Sequence, residues 1–184
     1  MSQHTPHLAG CACCADYLIP RFGRRLFIAA AGAAGLVAGL PRPAAAQGGY
    51  DAMVLTCIDP RFPAPTMAWA QQQNLVGRYS QFAFAGSAIG VVAPAFQAWH
   101  RTFWDNLGAS IQLHGIPKVI AINHRDCGAA KIAYGAARVA DRQVETVTHL
   151  ASLETFRAQV RQRHPTMLVD TGLMDLDGSI EMFG

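Results

Sequence analysis

Short apolar runs alternate with amphipathic segments along most of the chain after residue 50. The apolar runs predict buried strands at residues 52–56, 81–85, 118–123 and 167–170. Helices are predicted between them at residues 66–73, 94–114, 128–134 and 146–163. Asp177-Gly178 lies between two further short runs and predicts a terminal β-hairpin. This order predicts an α/β fold with a mainly parallel central sheet, helices on its faces and a C-terminal hairpin.

The helix predicted after residue 94 carries an apolar stripe with spacings of three and four residues. The stripe consists of Phe96, Trp99, Phe103, Leu107 and Ile111. A stripe of this kind is typical of a core or a subunit interface. If Trp99, Phe103 and Trp104 instead lined the entrance of a site, they would make its approach apolar.

Residues 1–46 have the organisation of an export signal. Arg24-Arg25 precedes an apolar segment at residues 28–40, and Ala44-Ala45-Ala46 follows that segment. These are the basic region, apolar region and cleavage site of a signal peptide, and the paired arginines resemble a twin-arginine signal. The apolar region is shorter than the roughly 20 residues of a membrane span. We predict export by the twin-arginine machinery to the periplasm, cleavage near Ala46 and a mature domain at residues 47–184, with a Sec signal or an uncleaved amphipathic anchor as alternatives.

Removing the predicted signal changes both the charge and the cysteine content. Residues 1–46 hold four arginines and one aspartate of the 15 basic and 12 acidic residues, which leaves a neutral domain with 11 of each. The domain has no basic stripe, which argues against nucleic acid as a partner. Cys11, Cys13 and Cys14 would be lost on cleavage, whereas Cys57 and Cys127 would remain. In an oxidising periplasm these two could form a disulfide, which is the main structural alternative to a metal site.

The two remaining cysteines lie in two short motifs that together contain three typical zinc ligands. The first motif is Cys57-Ile-Asp-Pro-Arg and the second is His124-Arg-Asp-Cys-Gly. Thiolates and imidazole are ligands that zinc prefers, and three protein ligands leave a position open for catalysis. Each motif follows a predicted strand, and parallel α/β sheets bind ligands at the carboxyl ends of their strands. The sequence therefore predicts one zinc ion per chain, held by Cys57, His124 and Cys127.

Asp59 and Arg61 are the candidate catalytic pair beside this site. Asp59 could accept a hydrogen bond from the reactive oxygen on the metal, while Arg61 holds the carboxylate through a bidentate pair. The alternative is a plain structural ion pair. Their position two and four residues after a candidate ligand favours the catalytic interpretation.

The two motifs at this separation resemble those of the β-class carbonic anhydrases. The resemblance extends from about residue 52 to residue 130 and more weakly to the terminal hairpin. Phe84-Ala85-Gly86 stands where that family usually has Asn-Ala-Gly. The resemblance implies zinc binding by Cys57, His124 and Cys127, and a catalytic dyad of Asp59 and Arg61.

The implied reaction is reversible hydration of carbon dioxide to bicarbonate by a zinc-bound hydroxide, which makes the protein a zinc lyase. In some members of the family the aspartate takes the fourth zinc position and closes the site, and the sequence leaves both states open for Asp59. The resemblance also implies a homodimer or higher homo-oligomer. Two alternatives remain: hydrolysis of carbonyl sulfide or carbon disulfide, and zinc binding without turnover. Most of the remaining histidines of the domain are expected at ordinary surface or capping positions, with a role as proton shuttles as the alternative. The remaining histidines are His100, His114, His149 and His164.

Overall fold

The fold is built around a five-stranded sheet. The structure, a computed structural model, describes residues 49–183. The predicted signal at residues 1–46, with Cys11, Cys13 and Cys14, lies outside the described residues. Within residues 49–183, no helix combines the length and the apolar character that crossing a membrane requires.

The sheet has the strand order β2-β1-β3-β4-β5. Its strands are β1 (Ala52–Thr56), β2 (Tyr79–Ala83), β3 (Lys118–His124), β4 (Leu168–Met174) and β5 (Ile180–Phe183). The first four strands pair in parallel, and β5 returns antiparallel to β4 through the predicted hairpin. The mainly parallel α/β fold with a C-terminal hairpin is thus confirmed. β1 is buried along its whole length and β3 at all but its first residue, as expected for central strands covered on both faces.

Five helices and two short 3₁₀ turns connect the strands. The helices are α1 (Pro63–Gln72), α2 (Ala88–Val92), α3 (Gln97–His114), α4 (Gly128–Tyr134) and α5 (Arg142–Arg163), and the 3₁₀ turns are Pro94–Phe96 and Ala136–Val139. Prolines open α1 and the first 3₁₀ turn, where a missing backbone N–H costs nothing. Gly115 ends α3 in the left-handed conformation, the usual helix C-terminal signal.

Two apolar clusters pack on the sheet. The larger joins α2, α3 and α5 to β1, β3 and β4, and includes the fully buried Phe103, Leu107 and Phe156. The Phe103 and Phe156 rings meet with centroids 5.5 Å apart. The smaller cluster includes Phe62 and Ala70 and packs α1 against β1 and β3. The aromatic stripe of α3 therefore belongs largely to the core.

Several predicted boundaries differ from the structure. β2 begins and ends two residues before the predicted strand, because Tyr79 pairs with the first residue of β1 and the chain turns after Ala83. α5 begins at Arg142 because Asp141 caps it, accepting hydrogen bonds from the backbone N–H groups of Gln143 and Val144. The short helix α2 was not predicted. His149 is an exception to the surface or capping positions expected for most of the histidines, because it is fully buried.

Candidate metal centre

Cys57, His124 and Cys127 come together at the carboxyl edge of the sheet. Cys57 follows β1, His124 is the last residue of the neighbouring β3, and Cys127 precedes the first residue of α4. Their ligand atoms, two sulfurs and an imidazole nitrogen, all lie within 4.8 Å of one another. Two parallel strands that end side by side thus bring Cys57 next to His124 and Cys127, which follow it in the sequence by 67 and 70 positions.

The imidazole of His124 is oriented so that one nitrogen is left for a ligand. Its Nδ1 lies 2.8 Å from the carbonyl oxygen of Arg125, which can only accept, so Nδ1 carries the proton and donates. Its Nε2 is therefore a lone-pair donor, and it is buried without a hydrogen-bond partner among the described residues. The Phe62 ring packs on the imidazole with centroids 4.1 Å apart and restricts its rotation. A buried orphan nitrogen facing two sulfurs fits a metal ion such as zinc.

The two cysteines are free thiols, so the structure does not contain the alternative disulfide. The pKa of Cys57 is well below the ordinary thiol value, first because Cys127 donates a hydrogen bond to it and also because the Gly86 N–H does, although burial acts in the opposite direction. The pKa of Cys127 is raised in turn by that hydrogen bond and by burial, although the N–H groups at the start of α4 act in the opposite direction. Of the two sulfurs, that of Cys57 is thus favoured as a thiolate, the form in which cysteine binds zinc.

Gly86 supports Cys57 in a way that the sequence interpretation missed. Its N–H donates to the Cys57 sulfur at 3.2 Å. Its φ of +80° lies in the region that favours glycine. A Cβ atom at this position would lie 2.8 Å from the Cβ of Ala129 in α4. In the sequence, Gly86 was noted only as part of the Phe84-Ala85-Gly86 segment of the resemblance, without a role at the site.

Asp59 and Arg61 form a close pair at the rim of the ligand cluster. The Arg61 Nε donates to Asp59 Oδ1 at 3.0 Å and its Nη2 donates to Oδ2 at 2.8 Å, while the Arg61 backbone N–H also reaches Oδ1 at 3.0 Å. These hydrogen bonds lower the pKa of Asp59 to about 2, despite an opposing effect of burial. Asp59 Oδ2 lies 4.0 Å from the Nε2 of His124. A carboxylate that stays ionised is thereby fixed beside the three ligand atoms.

Asp126 is a second partner of Arg61 that the sequence interpretation did not single out. Arg61 Nη1 donates to Asp126 Oδ2 at 2.9 Å, and Nη2 donates to the Asp126 carbonyl oxygen at 3.1 Å. Lys131 pairs with the other carboxylate oxygen of Asp126. The residue lies between His124 and Cys127 and has a φ of +54°, a left-handed conformation that is uncommon outside glycine. Arg61 therefore links the Asp59 loop to the turn that carries two candidate ligands.

Arg125 lies inside the second motif, but its guanidinium turns away from the ligand cluster. Its side chain is only 8% exposed and forms an ion pair with Glu145 at 3.1 Å. It also donates to Thr146 Oγ1 at 2.9 Å and lies 3.5 Å from Asp175. The residue therefore ties the ligand turn to α5 and to the loop after β4.

The aromatic stripe of α3 borders the site only at its first turn. Trp99 stacks on Phe96 with centroids 4.6 Å apart, and Phe96 packs in the same apolar cluster as Cys127. Phe103 and Trp104 instead pack against Phe156. Phe84, at the position where the resemblance expects Asn, contacts the edge of Trp99.

Gly90 makes room for the Phe84 ring. A Cβ atom on Gly90 would lie 2.5 Å from Phe84 Cδ1 and 2.3 Å from the Ala85 carbonyl oxygen. The side chains that pack around Cys127 are apolar and include Ile89, Ala93 and Phe96.

Comparison with known proteins gives relatives of unassigned function. No protein-family profile matches the chain. An uncharacterized protein of Rickettsia conorii is 28% identical over 129 residues, which cover 70% of this chain and 69% of the relative. A second uncharacterized protein, from Rickettsia bellii, is 29% identical over 129 residues, which cover 70% of this chain and 79% of the relative.

Solved structures identify the fold. A carbonic anhydrase from Streptococcus mutans superimposes with a TM-score of 0.51 at 18% identity, covering 87% of this chain and 96% of the other. The β-carbonic anhydrase CafA of Aspergillus fumigatus gives 0.50 at 16% identity, covering 86% of each. The β-carbonic anhydrase CcaA gives 0.50 at 14% identity, covering 74% of this chain and 81% of the other. At these identities the likeness concerns the fold, and the chain has the α/β fold of the β-class carbonic anhydrases.

Proposed function

We propose that this protein is a zinc-dependent carbonic anhydrase that catalyses reversible hydration of carbon dioxide to bicarbonate. Cys57, His124 and Cys127 would hold the zinc. The observation that carries the proposal is the convergence of two thiols on an imidazole nitrogen that is buried, unprotonated and unpartnered among the described residues. Two sulfurs and one nitrogen leave one position of a tetrahedral zinc for a water or substrate, the pattern of catalytic zinc sites.

When bound, zinc would supply a Lewis acid that lowers the pKa of water in that position. Asp59 would act as the hydrogen-bond acceptor that orients this water, because its carboxylate stays ionised with a pKa of about 2. Arg61 holds both Asp59 oxygens through its own hydrogen bonds. This engagement supports the open state, in which Asp59 is not itself a ligand.

A second candidate function is hydrolysis of carbonyl sulfide or carbon disulfide. It is favoured by the apolar surroundings of Cys127, where Ile89, Ala93 and Phe96 pack, and by Phe84 in place of a polar amide. Less polar linear substrates would partition more readily into such an approach. Zinc binding without turnover is the third possible outcome of the experiment below.

We also propose that the protein forms a homodimer or higher homo-oligomer. We further propose that the twin-arginine machinery exports it to the periplasm, where residues 1–46 are cleaved off. An oligomer is supported by β2, which forms one edge of the sheet and leaves backbone groups available to a second chain.

Metal analysis followed by stopped-flow hydration of carbon dioxide tests the proposal on purified protein. We expect one zinc per chain, measurable hydration, and little turnover of carbonyl sulfide. Asp59→Ala should retain zinc and lose about a hundredfold or more in kcat/KM, the usual scale of loss when a side chain positioned on the transferred proton is removed.

The matched control is Asp51→Ala. Asp51 also forms a bidentate pair with an arginine, Arg78, but it precedes β1 at the opposite end of the strand. This variant should keep full activity. Protein without zinc, or an Asp59→Ala variant as active as the wild type, would refute the proposal. Zinc with turnover of carbonyl sulfide but not of carbon dioxide would support the second candidate, and zinc without turnover of either would leave only a metal-binding role.

A further inference from the structure

Helix α5 presents a buried polar row to the segment that carries two candidate ligands. Glu145, His149 and Ser152 follow one another at spacings of four and three residues, so they share one face of the helix. Their exposed fractions are 6%, 0% and 3%. Helix faces that pack on a sheet are normally apolar. A buried polar row therefore calls for specific partners, and these partners lie next to the candidate ligands.

Two residues of the row bind Asn123, which directly precedes His124. The Asn123 Nδ2 donates to His149 Nδ1 at 3.1 Å and to Ser152 Oγ at 3.2 Å. The Asn123 Oδ1 accepts from the backbone N–H of Ala88 in α2 at 3.1 Å. These contacts fix the end of β3 where the imidazole ligand leaves the sheet.

Glu145 binds the turn itself. Its Oε1 accepts from the backbone N–H of Asp126 at 2.6 Å, and its Oε2 accepts from Arg125 Nη1 at 3.1 Å. The two bonded residues are those that separate His124 from Cys127. Among the described residues, Glu145 is therefore the only side chain of α5 that accepts a hydrogen bond from the backbone between His124 and Cys127.

The Asp126 backbone needs such an anchor. Its φ of +54° is unfavourable for a residue with a side chain. The left-handed residue reverses the chain direction so that His124, at the end of β3, and Cys127, at the start of α4, can face one ion. An unbonded N–H at this half-buried position would add a further cost. The hydrogen bond to Glu145 offsets both.

We propose that Glu145 is a positioning residue for the metal centre, holding the turn between His124 and Cys127 through the Asp126 N–H so that both ligands point at the same ion. This inference rests on the zinc binding proposed above. Glu145 touches neither a ligand side chain nor the substrate, and it acts through the backbone. Its second bond, to Arg125, is an ion pair that a purely structural role would also require.

Two conservative variants separate the backbone bond from the ion pair. Glu145→Gln has the same reach and keeps an acceptor for the Asp126 N–H but loses the charge. Glu145→Asp keeps the charge but is one methylene shorter, so its carboxylate no longer reaches the N–H at 2.6 Å without a shift of the backbone. Positioning through the backbone favours Gln over Asp, whereas a role limited to the Arg125 ion pair favours Asp over Gln.

The measurements are zinc affinity, by competition with a chelator, and the absorption spectrum of the cobalt-substituted protein, whose bands report ligand number and geometry. We expect Glu145→Asp to bind zinc about tenfold to a hundredfold more weakly, as is usual when a partner of a metal ligand is lost, and to show a changed cobalt spectrum. Glu145→Gln should stay much closer to the wild type in both. Glu154→Gln, at an exposed position of the same helix, is the control and should match the wild type.

The inference is overturned if Glu145→Asp binds zinc as tightly as the wild type, or if Glu145→Gln loses as much affinity as Glu145→Asp. Either of these results would leave the proposed function intact. Wild-type protein that binds no zinc would refute the proposed function instead. Wild-type protein that binds zinc but does not hydrate carbon dioxide would refute the activity and leave the role of Glu145 standing.

Discussion

Acid should destabilise this protein through one buried imidazole, that of His149. The side chain is 0% exposed. Its Nδ1 accepts a hydrogen bond from Asn123, which places the proton of the neutral ring on Nε2. Glu145, the nearest carboxylate, lies 3.9 Å from that Nε2, beyond hydrogen-bond distance, and is already bonded to Arg125 and Asp126. Burial lowers the pKa of His149 from 6.5 to about 4, and the positive charge of Arg125 acts in the same direction.

The direction and size of the effect follow from that pKa. Between pH 6.5 and pH 4 the unfolded chain binds a proton at this histidine that the folded protein does not bind. The contribution of neutral His149 is therefore complete above pH 6.5 and is lost as the pH falls toward 4. One pH unit across this window is worth about 1.4 kcal/mol. We expect a loss of about 2 kcal/mol in the free energy of unfolding between pH 7.5 and pH 5.

Urea denaturation of zinc-loaded wild type and His149→Gln at both pH values measures this contribution. Glutamine is neutral throughout and offers an oxygen to the Asn123 amide. The stability difference between the two proteins should shift by about 2 kcal/mol in favour of the variant on acidification, while protonation of the metal ligands affects both proteins and cancels. His164→Gln, just after α5, should follow the wild type at both pH values. A difference that is independent of pH within about 0.5 kcal/mol would refute the reasoning.

Two further changes test the site and the core. Cys57→Ser should abolish zinc binding, measured by metal analysis, and lower the melting temperature, since metal binding and folding are coupled; a variant with one zinc per chain would contradict the ligand assignment. Phe103→Ala removes a fully buried ring that contacts Phe82, Trp104 and Phe156, and should cost about 3–5 kcal/mol in urea denaturation. Val147→Ala, at a position 64% exposed, should stay within about 0.5 kcal/mol of the wild type.

The sheet could be predicted because the signals for it are local. Apolar runs such as 118–123 are short, bounded by Gly and Pro, and separated by helical spacing, so strand and helix could be told apart within each segment. The convergence of Cys57 and His124 then followed from a topological rule, because parallel neighbouring strands end at the same edge. The structure brings these residues together as that rule requires.

The supporting contacts could not be predicted because they depend on pairs distant in sequence and on backbone conformation. Nothing within the helix signals that Glu145 is buried, since a charged residue on an amphipathic helix normally faces water. Its burial is explained only by the Arg125 side chain and the Asp126 N–H, about twenty positions earlier. The left-handed conformation of Asp126 likewise could not be predicted from the residue type, because aspartate tolerates this conformation but does not require it.

Arg61 and Arg125 both hold the turn between His124 and Cys127, each from a different side. Arg125 ties it to α5 from the inside, whereas Arg61 holds the Asp126 carbonyl and carboxylate from the rim while also fixing Asp59. An Arg61 variant would therefore release both the candidate catalytic carboxylate and the turn between two ligands, and a loss of activity could not be assigned to either. Asp59→Ala leaves both bonds between Arg61 and Asp126 available. The catalytic role of the pair is consequently tested at the aspartate and not at the arginine.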